Sequence, residues 1–174
     1  VLYARVNQVM GKASDGMGAA QTYGVVMLWN SSMTVYDVAV SKDGNYIAAV
    51  NSTGIYYFAL TNSTPKWWYS PSNTFISVAI SADGEYVVAG DNNGRIHYLN
   101  DSTTTTGERL SSTWNSTIMG GPVERGTLDI SDDGEYVAIG GTGVNIYYYA
   151  NCTARSGVNQ DTTWTDYLSY DVLA

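Results

Sequence analysis

Hydrophobic and polar positions alternate in short runs along the chain, and one order of runs returns three times. A β-branched run ends in a Ser-x-Asp-Gly turn and a second apolar run follows, as in "SKDGNYIAAV" at 41–50, "SADGEYVVAG" at 81–90 and "SDDGEYVAIG" at 131–140. Asp-Gly supplies the positive φ of a tight hairpin turn. Runs of small and β-branched residues are typical of buried strands. The pattern therefore predicts a repeated pair of antiparallel strands.

An aromatic strand and a tryptophan segment complete each repeat. The aromatic strand reads "IYYFAL" at 55–60, "RIHYL" at 95–99 and "NIYYYA" at 145–150. No segment combines helical periodicity with helix caps. Repetition of three or four strands every 40–50 residues or so is typical of a β-propeller. We predict one all-β, β-propeller-like domain over residues 1–174, with three full antiparallel blades at about 34–73, 74–125 and 126–167.

The second repeat carries a likeness to a known family. Its stretch "SVAISADGEYVVAGDNNGRIHYLN" at 77–100 resembles a blade of the WD-repeat-like and quinoprotein-like propellers of archaeal and bacterial surface proteins. The resemblance extends over residues 34–174 and implies the propeller architecture. Because propellers host many unrelated functions, it implies no particular activity.

The two ends of the chain look like parts of a fourth, partial blade. "YGVVMLWN" at 23–30 matches the aromatic strands, and "LSYDVLA" at 168–174 matches "TVYDVAV" at 34–40. Residues 1–30 and 168–174 are therefore predicted to assemble this blade, with a mobile loop at 10–21. The predicted assembly strands are formed by Val1, Leu2, Tyr3, Ala4, Arg5 and Val6 and by Leu168, Ser169, Tyr170, Asp171, Val172 and Leu173.

Three ways of closing the partial blade are open at this point. The ends meet within one chain, which gives a four-bladed ring. They meet between chains, which gives a symmetric oligomer, or an open filament if the rotation does not close. Alternatively, the sequence is a stretch of a longer propeller. An unpaired strand edge offers free backbone donors and acceptors, so strand sharing is a ready means of assembly.

Asparagine begins the N-x-Ser/Thr pattern six times, about twice what chance gives for this composition. Four of these positions follow an aromatic strand, which places them on one predicted rim of the propeller, and the others lie in a turn and in a variable connection. We predict an extracellular glycoprotein with N-linked glycans at Asn30, Asn51, Asn62, Asn100, Asn115 and Asn151.

Charge and composition exclude several classes of protein. The formal net charge of −8 disfavours binding to nucleic acid, whose phosphates require a basic surface, and docking on anionic lipid. No apolar run is long enough to span a membrane. Cys152 is the single cysteine, so no internal disulfide forms.

The candidate chemical groups have structural explanations. His97 is the one histidine, and we align it with Tyr57 and Tyr148, which indicates a packing position. "DNNG" at 91–94 matches turns in the other repeats, and Asp133 belongs to a turn as well. A ring of acids near the predicted central channel is a candidate metal site, formed by Asp37, Asp129 and Asp171. We predict no catalytic residue, no metal and no cofactor.

These observations favour a secreted, N-glycosylated, non-enzymatic structural protein of the cell surface. We expect it to assemble with itself, as a filament or surface-layer subunit, through its terminal strands. The alternative is an extracellular propeller that binds a carbohydrate or a protein.

Overall fold

The computed structural model describes residue 28 and residues 30–117, 123–141 and 146–157. The prediction of an all-β fold is confirmed, because the described part of the chain contains twelve strands and no α-helix. The strands form three sheets that follow one another along the chain. The predicted assembly strands at the two termini lie outside the described residues.

Each sheet begins with an antiparallel hairpin whose turn is the repeated Asp-Gly pair. In the first sheet the hairpin strands β1 and β2 are followed by an aromatic strand β3 and a short outer strand β4. These strands are β1 (Asp37–Val40), β2 (Tyr46–Val50), β3 (Ile55–Ala59) and β4 (Trp67–Tyr69).

The second and third sheets repeat this order. The second sheet is formed by β5 (Phe75–Ile80), β6 (Val87–Asp91), β7 (Arg95–Leu99) and β9 (Trp114–Thr117), and the short strand β8 (Gly107–Arg109) lies between β7 and β9 in the chain. The third is formed by β10 (Val123–Ile130), β11 (Val137–Gly141) and β12 (Ile146–Tyr149), and a single 3₁₀ turn follows at Cys152–Ala154.

One strand pairing departs from the predicted antiparallel blades. β8 leaves the second unit and pairs in parallel with β4, the outer strand of the first sheet. A matching bridge joins Gly157 in parallel to Trp114, the first residue of β9. In both places a segment of one unit occupies the edge of the preceding sheet. We call these two segments the backward arms; they satisfy backbone groups that an edge strand leaves open.

Two buried clusters join the sheets in chain order. The first lies between sheets one and two, with large members Tyr57, Trp67 and Phe75. The second lies between sheets two and three and includes Tyr98, Trp114 and other members from both sheets. Alternate residues of each strand point to opposite faces, so each middle strand contributes to both sides of its sheet.

The three Asp-Gly hairpins meet at their tips. The backbone amide of Lys42 donates to the carbonyl of Ala82 at 3.0 Å, and the amide of Ala82 donates to the carbonyl of Asp132 at 3.0 Å. The Lys42 side chain then reaches the carboxylate of Asp132 at 2.7 Å. The tips of the first and third hairpins are therefore close together.

Candidate functional site

Polar side chains link the innermost strands of neighbouring units. The Ser77 hydroxyl donates to the Asp37 carboxylate at 2.9 Å, and the amide of Val78 donates to the same oxygen at 3.0 Å. The amide of Gly126 donates to the Ser77 hydroxyl at 3.2 Å. Together these contacts join the inner strands of all three units.

Asp129, another acid proposed for the channel, does not join this group. Asp129 is exposed, and its carboxylate accepts from the neighbouring amide of Ile130. Asp171 lies outside the described residues. Among the residues that the structure describes, no group of three or more His, Cys, Asp or Glu side chains could hold a metal ion.

Asp91 and His97 form a buried polar pair in the second sheet. The His97 Nε2 atom lies 3.3 Å from the Asp91 carboxylate, which also accepts from the amides of Asn93 and Arg95 at 2.9 Å and from the side chain of Asn73. Burial acts to raise the pKa of Asp91, but these hydrogen bonds outweigh it, and the pKa lies below its usual value. The carboxylate therefore stays charged in the folded protein.

The predicted alignment of His97 is wrong by one residue. His97 pairs with Ala89, and the matching pairs in the other sheets are Ala49 with Tyr56 and Ile139 with Tyr147. The tyrosines first aligned with it correspond instead to Tyr98. A shift of one residue exchanges the two faces of a strand. His97 consequently faces the first sheet.

The surroundings of His97 are those of a packing residue. Its ring lies against Phe75 and Tyr69, with centroid distances of 5.0 and 5.9 Å. Its Nδ1 atom has no hydrogen-bond partner among the described residues. The side chain is buried, so a substrate has no direct access to it.

The repeated aspartates hold the hairpin turns, as predicted. The Asp43 carboxylate accepts from the Ser41 hydroxyl at 2.6 Å and from the amide of Asn45 at 2.9 Å. Asp133 makes the same contacts with Ser131 and Glu135. The serine hydrogen bond is the main reason why the pKa values of Asp43 and Asp133 are lowered. These carboxylates are committed to the turns.

Paired tyrosine and tryptophan side chains fasten each unit to the next. Tyr57 stacks on Trp67 and donates its hydroxyl to the carbonyl of Gly84 at 2.8 Å. Tyr98 stacks on Trp114 and donates to Gly134 at the same distance. Trp67 and Trp114 are fully buried in the clusters between neighbouring sheets. The sequence did not predict the hydrogen bonds of the tyrosine hydroxyls. The signal that could have indicated them is the identical position of Tyr57 and Tyr98 in two repeats.

The tryptophan nitrogens bind the 3₁₀ turn and its counterpart. Nε1 of Trp67 donates to the carbonyl of Ser102, and Nε1 of Trp114 donates to the carbonyl of Cys152, both at 2.9 Å. Cys152 therefore takes the place that Ser102 takes one unit earlier. Burial raises the pKa of the Cys152 thiol to about 12, which makes it a poor nucleophile.

The six predicted glycosylation positions differ in exposure. Asn30, Asn62 and Asn151 are exposed, whereas Asn100 and Asn115 are half-buried. Asn62, Asn100 and Asn151 follow the third strands of their units, as the sequence predicted. Asn115 lies inside β9 instead of in a variable connection.

Asn51 has a structural role of its own. Its side chain is 9% exposed, its amide nitrogen donates to the carbonyl of Thr34 at 3.2 Å, and its oxygen accepts from the amides of Thr53 and Gly54. This is the turn position that Asp91 occupies in the second unit. An N-linked glycan on Asn51 would replace one of the hydrogens on the nitrogen that binds Thr34.

Comparison of the chain with known proteins gives no family assignment. A scan against protein-family models found no match, and a search of curated proteins found none either. The described residues include no helix that is long and apolar enough to cross a membrane.

Proposed function

We propose that this chain is a secreted, N-glycosylated, non-enzymatic structural protein of the cell surface. In this proposal its three sheets are blades of a four-bladed, propeller-like ring, and its terminal strands form the fourth blade. Residues 168–174 of one chain pair with residues 1–30 of a neighbouring chain, and this strand sharing drives self-assembly.

The repeated contacts between units carry the proposal of a ring. The tyrosine hydroxyl bonds to Gly84 and Gly134 have the same length, and the amide bonds between hairpin tips do as well. Units related by one repeated contact follow a ring or a helix. The ion pair between Lys42 and Asp132 adds a contact between the first and third hairpin tips.

Exposed asparagines at one end of the sheets support the glycoprotein proposal. Asn62 and Asn151 are exposed beyond β3 and β12. Asn30 is exposed too. We leave Asn51 out of the proposed set because its amide nitrogen is bonded and buried.

The described ionisable groups support a non-enzymatic role. Asp43, Asp91 and Asp133 bind turn amides, and His97 is buried among aromatic rings. General acid–base catalysis requires a group within reach of a substrate. The buried side chains of Asp91 and His97 do not offer one.

Mass spectrometry of the native protein tests the glycoprotein proposal. We expect hexose-containing additions on peptides that carry Asn62 and Asn151, and an unmodified Asn51. Native peptides without any addition at Asn62 and Asn151 would exclude the proposed modification.

Light scattering of the native protein, before and after deletion of residues 168–174, tests assembly. We expect the intact chain to form particles larger than one glycosylated chain, and the deletion to abolish them. A strict monomer, or assembly that survives the deletion, would contradict terminal strand sharing.

A further inference from the structure

The face of the third sheet that points away from the second sheet carries apolar side chains, and none of the described sheets covers it. Ile146 is 55% exposed and Tyr148 is 40% exposed. The strand pairing places Ile146 in register with Ile55 and Ile96, which are fully buried in the first and second sheets. We call this surface, formed by Tyr136, Ile146 and Tyr148, the open face.

The open face has the same internal arrangement as the two covered faces. Tyr148 stacks on Tyr136 with a centroid distance of 5.9 Å, as Tyr57 stacks on Tyr46 at 5.5 Å. In the first unit this pair receives the following hairpin turn, since a Cβ atom on Gly84 would lie 2.5 Å from the Tyr46 ring. The open face thus continues a series of interfaces that the molecule already uses twice.

The first strand of the following unit is a principal element that covers each face. Val78 on β5 belongs to the cluster that covers Ile55 and Tyr57, and Leu128 and Ile130 on β10 belong to the cluster that covers Ile96 and Tyr98. The element that fits the open face is therefore another strand of this kind.

The sequence beyond the third sheet continues the repeat. Trp114 follows Gly107 of the first backward arm by seven residues, and Trp164 follows Gly157 of the second by the same seven. The sequence at 168–174 then matches the stretch that contains β1, which places Asp171 in register with Asp37 and Ser77.

We infer that the open face of the third sheet is the docking surface for residues 168–174 of the same chain, which lie on it as the first strand of a further unit. This inference rests on the proposed fourth blade. It adds the surface that receives the strand, and it assigns the strand to the same chain rather than to a second copy.

A disulfide between matching inner positions tests the inference directly. The side chains of Asp37 and Ser77 lie 2.9 Å apart, and Thr127 and Asp171 are the corresponding residues two interfaces further along. We would combine Thr127→Cys and Asp171→Cys in a Cys152→Ser background. Serine is chosen because Ser102 occupies the equivalent position one unit earlier. Val172→Cys in place of Asp171→Cys is the control, because neighbouring strand residues point to opposite faces.

Non-reducing electrophoresis of the full chain after mild oxidation gives the result. We expect a disulfide within one chain for the Thr127 and Asp171 pair, in most molecules, and little for the control pair. A disulfide between chains, the absence of a disulfide, or equal yields for both pairs would overturn the inference.

Proteolysis supplies a second measurement. Ile146→Asp introduces a charge on the open face and should increase chymotryptic cleavage at Tyr167 and Tyr170 several-fold, whereas Leu110→Asp at a 90% exposed position should leave it unchanged. Equal cleavage rates in the two variants would contradict docking.

The two proposals fail separately. A disulfide within the chain together with a strict monomer in light scattering would support docking and contradict self-assembly. Assembly that persists in the cysteine variant without a disulfide would contradict docking and leave the assembly proposal standing.

Discussion

The Tyr98 hydroxyl has a specific and buried role. It donates to the carbonyl of Gly134 from a side chain that is closed to solvent, and burial raises its pKa well above the usual tyrosine value. The hydroxyl therefore stays protonated and remains a donor across the physiological range. Its removal leaves a carbonyl oxygen without that partner.

We expect Tyr98→Phe to lower the free energy of unfolding by about 1–2 kcal/mol, the usual cost of a lost buried hydrogen bond. Tyr148→Phe is the matched control, because Tyr148 occupies the same register position on the exposed face. Urea unfolding measures both variants. Equal losses of stability would mean that the Gly134 contact contributes nothing beyond ring packing.

Asp91 makes stability depend on pH. Its pKa is lowered in the folded state, so its contribution to stability is present above the unfolded pKa of about 3.9 and is lost as the pH falls through the lower folded value. We expect Asp91→Asn to be less stable at pH 7 and to lose less stability between pH 5 and pH 2, values bracketing that range.

Urea midpoints between those pH values, with Glu108→Gln as an exposed control, check this expectation. The control should retain the acid-dependent loss of the original protein. An Asp91→Asn variant with an unchanged pH dependence would show that the buried carboxylate is not the group responsible.

The roles of individual residues could be predicted from the sequence where the same residue types recur at the same position of each repeat. The Ser-x-Asp-Gly turns were predictable because the side-chain hydrogen bonds are local, between Ser41, Asp43 and Asn45. The side of the sheet to which His97 points could not be predicted from the sequence. Adjacent aromatic residues all fit a buried strand, and a shift of the alignment by one residue moves each side chain to the opposite side. The structural role of Asn51 was also hidden, because the same three letters encode a turn and a glycosylation signal.

At the scale of elements, the hairpin turns of the first two units differ in what surrounds them. Gly44 and Gly84 both have positive φ, of 74° and 80°. No described atom lies within 4 Å of a Cβ placed on Gly44, whereas a Cβ on Gly84 would meet the ring of Tyr46 at 2.5 Å and the hydroxyl of Tyr57 at 3.0 Å.

We therefore expect Gly84→Ala to cost more stability than Gly44→Ala. The left-handed backbone lowers the free energy of unfolding of both variants by about 1–2 kcal/mol. Displacement of the packed rings lowers that of Gly84→Ala by about 1–3 kcal/mol more. Chemical denaturation of the two variants measures the difference. A smaller effect at Gly84 would show that the turn does not seat against the tyrosines.

The backward arms could not be predicted from local sequence. β8 is only "GER", which carries none of the β-branched or aromatic residues that favour strands. It becomes a strand because β4 offers an edge beside it, and such tertiary context is invisible in a window of a few residues. The main strands, with their repeated apolar runs, were predictable for the opposite reason.

At the scale of the whole molecule, the shared clusters couple the sheets. The second cluster contains Cys152 together with residues from both the second and third sheets. Breaking one sheet exposes apolar surface of its neighbour, so we expect the described sheets to unfold in one cooperative transition.

The single cysteine reports this transition. Cys152 is buried, and its raised pKa keeps the thiol protonated, so we expect negligible labelling by a thiol reagent in the native protein. In urea, the midpoint of labelling should coincide with the midpoint of tryptophan fluorescence. Labelling at clearly lower urea would mean that the third sheet opens independently.

The number of units and their order along the chain followed from the repeat, but the contact between the first and third hairpin tips did not. The contact of Lys42 with Asp132 joins residues that are ninety positions apart. Nothing in either local sequence indicates that these two side chains meet, because their meeting depends on the angle between successive sheets.

The backward arms also determine the order in which the sheets can be completed during synthesis. The first sheet obtains its fifth strand only when residues 107–109 have been synthesised, long after β4 has left the ribosome. The second sheet likewise waits for Gly157. During synthesis, each finished sheet therefore keeps an unpaired edge until the next unit has emerged, and the interval between the two is the period in which a nascent chain is exposed to pairing with a neighbouring nascent chain.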